Sequence, residues 1–372
     1  MQVDNRVTLE IDLKKLAANF TKISRAVSPC AVVSVLKANA YGLGVRPIAR
    51  ALAEAGTAGF GVAELNEALE LTDLGLPVQI LGTILHTEIP VALDNNIILP
   101  VSDLGVAVAI NEEGARRNQK AECHILIDTG MGRLGLQYRN AFSEIKQITS
   151  LPFLNCTGVY SHFPVAYRDG SDYTREQIRH FSELLYSLEK EGITFKTIHI
   201  ANSDAINNFP ETYRLPFNCV RTGINLHGSF DPEGKRALDI EPVLELKTKL
   251  MSVRELPAGA CIGYGLTCKL SKPTRVGTIS AGYADGLPLA LSNRGHVIIN
   301  GQPCPVLGRV SMDYTTVSLD NVPEAQPGDD VICLGGEGIH KISVEDWATV
   351  KGTHAYEIIC SIGNRVRRTY ID

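Results

Sequence analysis

The chain lacks any apolar run that could cross a membrane. Its longest runs, such as Ala31–Leu36 and Val106–Ile110, are far shorter than the roughly 20 residues that a membrane-spanning helix needs. The N-terminus, MQVDNRVTLEIDLKK, has acids where a secretory signal has a basic start and an apolar stretch. Basic residues are not in excess, because 36 Lys and Arg face 41 Asp and Glu for a net charge of −5. These absences predict a soluble, cytoplasmic protein with no nucleic-acid or membrane partner.

Ligand spacings typical of metal sites are also missing. The nine cysteines form no C-x-x-C pair, and the nine histidines form no H-E-x-x-H motif. We therefore expect no metal site and predict that the cysteines are reduced thiols, most of them buried. Hydrophobic residues make up 44% of the chain, which is ordinary for a folded protein. The length of 372 residues exceeds what one hydrophobic core usually organises. Two domains are expected.

Short β-branched runs alternate with amphipathic stretches through the first two thirds of the chain. The helical stretches include Asp12–Val27, Leu104–Gln119 and Tyr173–Glu191. The predicted strands are Val32–Lys37, Phe60–Ala63, Val78–Leu81, Ile97–Val101, Cys123–Asp128, Gly158–His162, Thr197–Ala201 and Val220–Leu226. This α/β pattern predicts a closed (β/α)8 barrel of the TIM type over residues 10–240, with an open doubly wound sheet as the alternative.

The pattern changes after Glu241. Strand-like runs at Val243–Val253, Arg275–Ser280, His296–Asn300 and Val331–Leu334 are separated by turns rich in Pro and Gly. Residues 241–372 are therefore expected to form a C-terminal, mostly antiparallel β domain. The N-terminal segment 1–9, whose strand-like part is Val7–Ile11, is expected to join its sheet.

Polar residues that follow the barrel strands are the candidates for chemistry, because the C-terminal ends of the strands form the active sites of such barrels. Lys37 ends an apolar run and is either a surface lysine or one that deprotonates easily, as Schiff-base chemistry requires. Ser203 is either a helix cap or, with Gly223 and Ile224 after the last strand, a phosphate donor. Lys37 with a phosphate site suggests a phosphorylated aldehyde cofactor.

One further motif is a weak indication of a dinucleotide-binding site. Gly130-x-Gly132-x-x-Gly135 matches the dinucleotide fingerprint after a strand. It falls at the fifth strand, contains Arg133 and has no clear acidic residue at the end of the next strand. NAD binding is therefore not favoured.

Eight motifs then occur in a familiar order: VVSVLKANAYGLG, DTGMGRLG, HIANSDA, VRTGINLHGS, IGYGLT, GYADGLP, GRVSMD and YEIICSIGNRVRRTY. Together they cover almost the whole chain, which resembles the alanine racemases. The resemblance implies an enzyme dependent on pyridoxal 5′-phosphate (PLP), a fold-type III barrel with a C-terminal β domain, and a head-to-tail homodimer with shared active sites. It also implies interconversion of L- and D-alanine, with D-alanine supplied to peptidoglycan.

The same resemblance implies two catalytic bases. Lys37 would be the Schiff-base lysine and one base, and Tyr264 would be the opposite base, reaching the active site of the other subunit. Such a pair suits racemisation, in which one base removes the α-proton to give a planar carbanion and the other returns a proton to its opposite face. Arg133 and the backbone N–H of Met312 would bind the substrate carboxylate, with Asp313 as a supporting residue.

Cofactor contacts are implied in the same way. Arg221 would face the pyridine nitrogen, supported by His199, and His162 would bridge Arg221 towards Tyr264. An arginine does not readily give up a proton, so it would leave that nitrogen unprotonated. The phosphate group and its surroundings would be contacted by Tyr41, Asn202, Ser203, Gly223, Ile224 and Tyr356.

Three positions depart from the family pattern. Leu126 stands where many members have a carbamylated lysine, so we predict a chloride ion or a side-chain acceptor beside Arg133. Tyr167 replaces an entryway Asp, and Leu289 replaces an Arg after GYADGLP. The changed entryway keeps open a serine or broad-specificity racemase, whereas the ring of Tyr356 favours alanine. A non-catalytic PLP carrier is the alternative from another class, although such carriers lack a C-terminal β domain.

Overall fold

Parallel strands surround a barrel core in the computed structural model, which describes residues 5–372. In chain order the strands are β1 (Val7–Asp12), β2 (Ala31–Val35), β3 (Gly59–Val62), β4 (Val78–Ile80), β5 (Leu99–Val101), β6 (Ala121–Asp128), β7 (Leu136–Gln137), β8 (Leu154–Tyr160), β9 (Thr197–His199), β10 (Cys219–Thr222), β11 (Leu244–Leu256), β12 (Cys261–Ile262), β13 (Cys268–Lys269), β14 (Thr274–Ile279), β15 (His296–Ile299), β16 (Gln302–Pro305), β17 (Thr315–Ser318), β18 (Asp330–Leu334) and β19 (Arg367–Ile371).

Helices connect and cover these strands. They are α1 (Leu13–Ala26), α2 (Lys37–Gly42), α3 (Val45–Glu54), α4 (Leu65–Leu69), α5 (Ile89–Asp94), α6 (Leu104–Arg117), α7 (Tyr138–Thr149), α8 (Asp172–Lys190), α9 (Ser203–Asn208), α10 (Val344–Lys351) and α11 (Ala355–Cys360). Short 3₁₀ turns lie at Thr72–Leu74, His86–Glu88, Pro210–Tyr213, Ile224–His227, Tyr264–Leu266, Tyr283–Asp285, Leu289–Leu291 and Gly338–His340. Within residues 5–372, every helix is too short or too polar to span a bilayer.

The barrel strands pair in the order β4-β3-β2-β10-β9-β8-β6-β5, all parallel. Backbone bonds from Ile98 N–H to the Val78 oxygen (2.9 Å) and from Ile80 N–H to the Ile98 oxygen (3.2 Å) join the two ends of this sheet. The predicted (β/α)8 barrel is confirmed, and the open doubly wound sheet is wrong.

The second sheet has the order β16-β15-β18-β11-β1-β19, with β14 between β11 and β17. All of its pairs are antiparallel except β1 with β19, so the predicted mostly antiparallel β region is confirmed. Of the predicted N-terminal segment 1–9, residues 1–4 lie outside the described residues, and β1 begins at Val7. The domain boundary between residues 240 and 241 stays a prediction.

Helix starts follow local capping rules. The side chain of Asp12 accepts a hydrogen bond from Lys15 N–H (2.8 Å) at the start of α1, and Asp103 accepts one from Val106 N–H (2.9 Å) at the start of α6. Each cap satisfies an N–H group that the first helical turn leaves without a partner. The long helices α1, α6 and α8 lie within a few residues of their predicted bounds.

Candidate active site

The barrel mouth brings together residues from the ends of several strands. Lys37 follows β2, His162 follows β8, and Arg221 lies in β10. A guanidinium N–H of Arg221 points at Nδ1 of His162, 3.3 Å away. The charges of Arg133 and Arg221 both act on Lys37, so these cations share one electrostatic environment.

The backbone turns left-handed immediately after Lys37. Ala38, Asn39, Ala40 and Tyr41 have φ values of 54°, 54°, 52° and 60°. The strand was predicted to run to Lys37, but it ends at Val35 because the chain enters this turn. Consecutive left-handed residues other than Gly cost roughly 1–2 kcal/mol each, so surrounding contacts must hold them in place.

Contacts at the exit of the turn come from within the loop and from the C-terminal strand. Val45 N–H donates to the side-chain oxygen of Asn39 (2.7 Å). In β19, Arg368 Nε donates to the Gly42 oxygen (3.1 Å) and the Tyr370 hydroxyl donates to the Leu43 oxygen (2.8 Å). The C-terminal strand therefore helps to hold the lysine turn of the barrel.

The groups that act on the amine of Lys37 are two cations, a thiol and a carboxylate. Although its side chain reaches solvent at the barrel mouth, burial and then Arg133 lower the pKa of Lys37 below its usual value, with a smaller contribution from Arg221. Cys360 and Glu67 act in the opposite direction. A lowered pKa increases the fraction of neutral amine, which is the form that attacks a carbonyl carbon or accepts a proton.

Arg221 is 5% exposed and is surrounded by neutral acceptors. It donates to Nδ1 of His199 (2.7 Å), to Nδ1 of His162 (3.3 Å) and to the Ser161 oxygen (2.7 Å). Burial lowers the pKa of Arg221 to about 10, and the group remains a cation at neutral pH. Among the described residues, no carboxylate forms an ion pair with it.

The arginine determines which ring nitrogen of each histidine carries the proton. A guanidinium only donates, so Nδ1 of His199 must accept and its proton must lie on Nε2. That Nε2–H then donates to Nδ1 of His124, 3.3 Å away. Burial, followed by the charge of Arg221, lowers the pKa of His124 to about 4 and that of His162 to about 3.

His124 occupies space that a glycine leaves free. A Cβ atom at Gly158 would lie 2.5–2.6 Å from the ring atoms of His124. On the other side, His199 stacks on the ring of Tyr160 at a centroid distance of 5.0 Å and an angle of 8°. The chain Arg221–His199–His124 is thus packed tightly inside the barrel.

A small polar cradle lies after β9 and β10. Gly223 N–H donates to the Ser203 hydroxyl (3.0 Å), and a Cβ atom at Gly223 would lie 2.0 Å from the hydroxyl of Tyr41. Asn202 caps α9 by accepting from Ala205 N–H (2.9 Å). The predicted strand Val220–Leu226 is wrong beyond Thr222, because Ile224 starts a 3₁₀ turn.

The helix α11 brings two further side chains to the lysine turn. The ring of Tyr356 lies 6.0 Å from that of Tyr41, centroid to centroid. Cys360 lies beside the turn, since a Cβ atom at Gly42 would be 3.8 Å from its Cα. Burial raises the pKa of both Tyr41 and Tyr356, so the two phenols are neutral donors.

The loop that carries Arg133 is organised by Asp128. One oxygen of this carboxylate accepts from the N–H groups of Gly130 (3.0 Å), Met131 (2.8 Å) and Gly132 (3.1 Å). Arg133 itself is exposed and pairs with no other side chain among residues 5–372. The side-chain acceptor predicted beside it is therefore wrong within the described chain.

Tyr264, Met312 and Asp313 lie in the C-terminal region. Tyr264 is 71% exposed and Met312 is 52% exposed. Asp313 forms an ion pair with Arg365 (2.7 Å). None of the three is hydrogen-bonded to the barrel mouth of its own chain within residues 5–372.

Three residues that lie close to the others were not predicted from the sequence. His124 shares an alternating face of β6 with Leu126 and Asp128, and this period-two spacing could have indicated it. Glu67 accepts from Ala38 N–H (2.5 Å) beside Lys37, but only its place after the second barrel strand hinted at this contact. Cys360 was part of a recognised motif, and no pattern set it apart from the other cysteines.

Comparisons with known proteins agree with this geometry. The family model described as alanine racemase, N-terminal domain, matches residues 11–231, and the model for the C-terminal domain matches residues 243–370. The chain belongs to the alanine racemase family. An alanine racemase of Desulforamulus reducens is 39% identical over 368 residues, which cover 97% of this chain and 98% of that protein.

Solved structures of family members superpose closely. The alanine racemase of Streptomyces lavendulae has a TM-score of 0.92 at 34% identity, covering 100% of this chain and 98% of the other. The alanine racemase of Bartonella henselae, solved with covalently bound pyridoxal phosphate, has a TM-score of 0.89 at 30% identity, covering 99% and 100%. The chain is accordingly a PLP-dependent amino-acid racemase of this family.

The residues present suit this cofactor. Gly223 leaves the space beside the Tyr41 hydroxyl that a side chain would fill, and hydroxyl and backbone N–H donors line that space. Such donors match phosphate oxygens. The amine of Lys37 and the buried cation of Arg221 are of the types required by an aldehyde and a pyridine nitrogen.

The buried neutral histidines predict a dependence of stability on pH. His124 has a pKa of about 4 when folded and near 6.5 when unfolded, so between these values the unfolded chain binds an extra proton. The stabilisation that the neutral imidazole of His124 contributes to the folded state is complete above pH 6.5 and is lost as the pH falls towards 4. The free energy of unfolding should decrease between pH 7 and pH 5, and in His124→Gln this decrease should be smaller by about 1–2 kcal/mol. Urea unfolding of the cofactor-free protein at both pH values measures this.

His296→Gln is the matched control, because His296 is an exposed histidine at the start of β15. It should keep the pH dependence of the unsubstituted chain. Equal pH dependence for all three proteins would show that His124 does not stay neutral in the fold.

Proposed function

We propose that this chain is a cytoplasmic enzyme that interconverts L- and D-alanine through two bases and supplies D-alanine for peptidoglycan. The observation that carries this proposal is the position of Lys37 on its left-handed turn, with the Ser203–Gly223 cradle and Arg221 at the same barrel mouth. A carbonyl-reactive amine, a phosphate cradle and a buried cation are the parts that PLP chemistry requires.

Named residues would hold the cofactor. Tyr41, Asn202, Ser203, Gly223, Ile224 and Tyr356 would surround its phosphate. Arg221 would face the pyridine nitrogen and, since it keeps its own proton, would leave that nitrogen unprotonated. Bound at Lys37, PLP supplies an electron sink that stabilises negative charge at the α-carbon of the substrate.

The chain supplies the proton transfers. On one face, Lys37 takes the α-proton as the neutral amine, which its lowered pKa favours, and it returns a proton from the ammonium form. Tyr264 of the partner subunit does the same on the opposite face. His162 carries its proton on Nε2, since Nδ1 accepts from Arg221, and this N–H can donate to the phenol oxygen of that tyrosine. Arg133 and Met312 bind the substrate carboxylate.

Support for a homodimer with shared sites comes from the exposed apolar side chains of the C-terminal region. Tyr264 and Leu266 are 71% and 67% exposed, and Met312 and Leu289 are about half exposed. Exposed apolar groups of this size are typical of an interface. Since Tyr264 is not hydrogen-bonded to the barrel mouth of its own chain, a second copy is the natural source of the opposite base.

Alanine should be the preferred substrate. Tyr356 lies beside Tyr41 and restricts the space near the cradle, so the added hydroxyl of serine is disfavoured. We expect kcat/KM for L-alanine to exceed that for L-serine by about tenfold or more. Measuring both by coupled detection of the D-isomer tests this, and Tyr356→Ala should narrow the ratio.

A preference for serine would favour the second candidate, a serine or broad-specificity racemase. The observation behind it is that Tyr167 and Leu289 are uncharged at positions where members of the family have an entryway Asp and an Arg. Absence of turnover in the PLP-loaded protein on a panel of L-amino acids would instead indicate a PLP carrier.

Shared sites predict complementation between inactive subunits. Lys37→Ala and Tyr264→Phe homodimers each lack one base in both sites and should be nearly inactive. Mixed dimers would have one site with both bases and one with neither, so mixing should restore up to about a quarter of the normal activity by random pairing. Separately tagged subunits establish that exchange has occurred. Proven exchange without recovered activity would contradict the shared site.

We also propose that a chloride ion pairs with Arg133. Leu126 is 6% exposed and uncharged, and the Arg133 loop returns onto it at Gly135. Arg133 is exposed, but its charge and that of Arg221 both act on Lys37, so an anion beside Arg133 would offset the repulsion between these positive charges.

Activity should then rise with chloride at constant ionic strength and fall about twofold or more when gluconate replaces it. Leu126→Glu places a carboxylate beside the loop and should remove the dependence on chloride. Identical rates in chloride and gluconate for the unsubstituted chain would refute the proposal.

A further inference from the structure

Glu67 holds the entry of the lysine turn. It lies in α4, just after the barrel strand β3, and its side chain is half-buried. One carboxylate oxygen accepts from Ala38 N–H (2.5 Å), and the other accepts from Ala63 N–H (2.7 Å). A single side chain thus bridges the segments that follow two neighbouring strands, β2 and β3.

Ala38 is the residue directly after Lys37 and the first with a left-handed backbone. The contacts of Asn39, Arg368 and Tyr370 hold the later part of the turn. At the entry, the N–H of Ala38 depends on Glu67. Its hydrogen bond acts on the peptide group that joins Lys37 to the turn.

Glu67 is also the carboxylate in the immediate charge environment of Lys37. The other groups that act on this amine are the cations Arg133 and Arg221 and the thiol of Cys360 on α11. Arginine stays charged at every pH of interest, and burial raises the pKa of Cys360, so its thiol is uncharged at neutral pH. Among residues 5–372, the carboxylate of Glu67 is therefore the group whose negative charge opposes the charges of the two arginines at Lys37.

We infer that Glu67 is a positioning residue for Lys37: its carboxylate fixes the start of the left-handed turn and supplies the negative charge that balances the cations around the amine. This inference rests on the proposed role of Lys37 as a base. A base that alternately takes and returns a proton needs both a fixed direction and comparable stability of its two protonation states.

Two substitutions distinguish the effect of the hydrogen bonds of Glu67 from the effect of its charge. Glu67→Gln keeps the length of the side chain but removes the charge and turns an amide N–H₂ towards one of the two N–H donors. Glu67→Asp keeps the charge but is one methylene shorter and cannot reach both donors. Glu64→Gln is the matched control, since Glu64 is exposed at the N-terminus of the same helix and its side chain makes no capping hydrogen bond.

The test uses cofactor-free protein, so it does not depend on racemase activity. Competitive acetylation of Lys37, followed by peptide mass spectrometry across pH, reports the neutral fraction of its amine. Glu67→Gln removes a negative charge that stabilises the ammonium form, so the midpoint of the Lys37 labelling curve should move to lower pH. Labelling at pH 8 should rise about threefold. Glu67→Asp should shift the midpoint less. Hydrogen exchange of the peptide covering residues 36–44 should accelerate about tenfold or more in both variants.

In the PLP-loaded enzyme, both variants should lose about tenfold or more in kcat, with KM for alanine changed less than twofold. Glu64→Gln should match the unsubstituted chain in every measurement. Labelling and exchange that are the same in all four proteins would overturn the inference, even if racemisation is confirmed. Altered labelling and exchange without racemase activity in the unsubstituted chain would leave Glu67 as the residue that holds Lys37 and would reject the proposed reaction instead.

Discussion

The left-handed turn that follows Lys37 is the constraint on which the rest of the site depends. Four consecutive residues other than Gly adopt a conformation that isolated chains avoid, and hydrogen bonds from three separate parts of the chain hold it. The turn directs Lys37 to the barrel mouth and also places Tyr41 beside Gly223. The amine and the phosphate cradle are therefore positioned by one piece of backbone, and a change that relaxes the turn affects both.

A second organising feature is the absence of a carboxylate partner for Arg221 among the described residues. Its acceptors are two neutral imidazoles and backbone carbonyl groups, so its positive charge is not cancelled locally. The hydrogen bonds fix the orientation of the guanidinium, and the neutral acceptors leave its charge to act on the ligand. Because Arg221 can only donate, it also sets the protonated nitrogen of both histidines that it contacts. One side chain thus defines the donor pattern of the barrel interior.

Much of the fold could be predicted because hydrophobic periodicity records which face of an element is buried. The eight barrel strands and the long helices follow this signal. The strand ends do not, since β8 and β9 end at Tyr160 and His199, two residues before their predicted ends. Two further errors lie in the site: Lys37 starts a turn, and Ile224 starts a 3₁₀ helix despite its β-branched side chain. A left-handed turn without Gly has no local signature, since contacts with residues as distant as Tyr370 stabilise it. Glu67 and His124 were missed for a related reason, because their contacts join different barrel strands, or the segments that follow them, and depend on how those strands are ordered in the sheet.

The pairing of β1 with β19 has a consequence for synthesis of the protein. Leu9 lies opposite Arg368 in this parallel pair, so β1 can pair with β11 early but can pair with β19 only after β19 has been synthesised. The barrel sequence leaves the ribosome more than a hundred residues before Arg368 and Tyr370 do. A nascent chain can therefore form the barrel strands while the exit of the lysine turn still lacks these two contacts. Competence to retain the cofactor should arise only when β19 has been translated, and a chain truncated within β19 should yield a barrel in which the lysine turn lacks two of its hydrogen bonds.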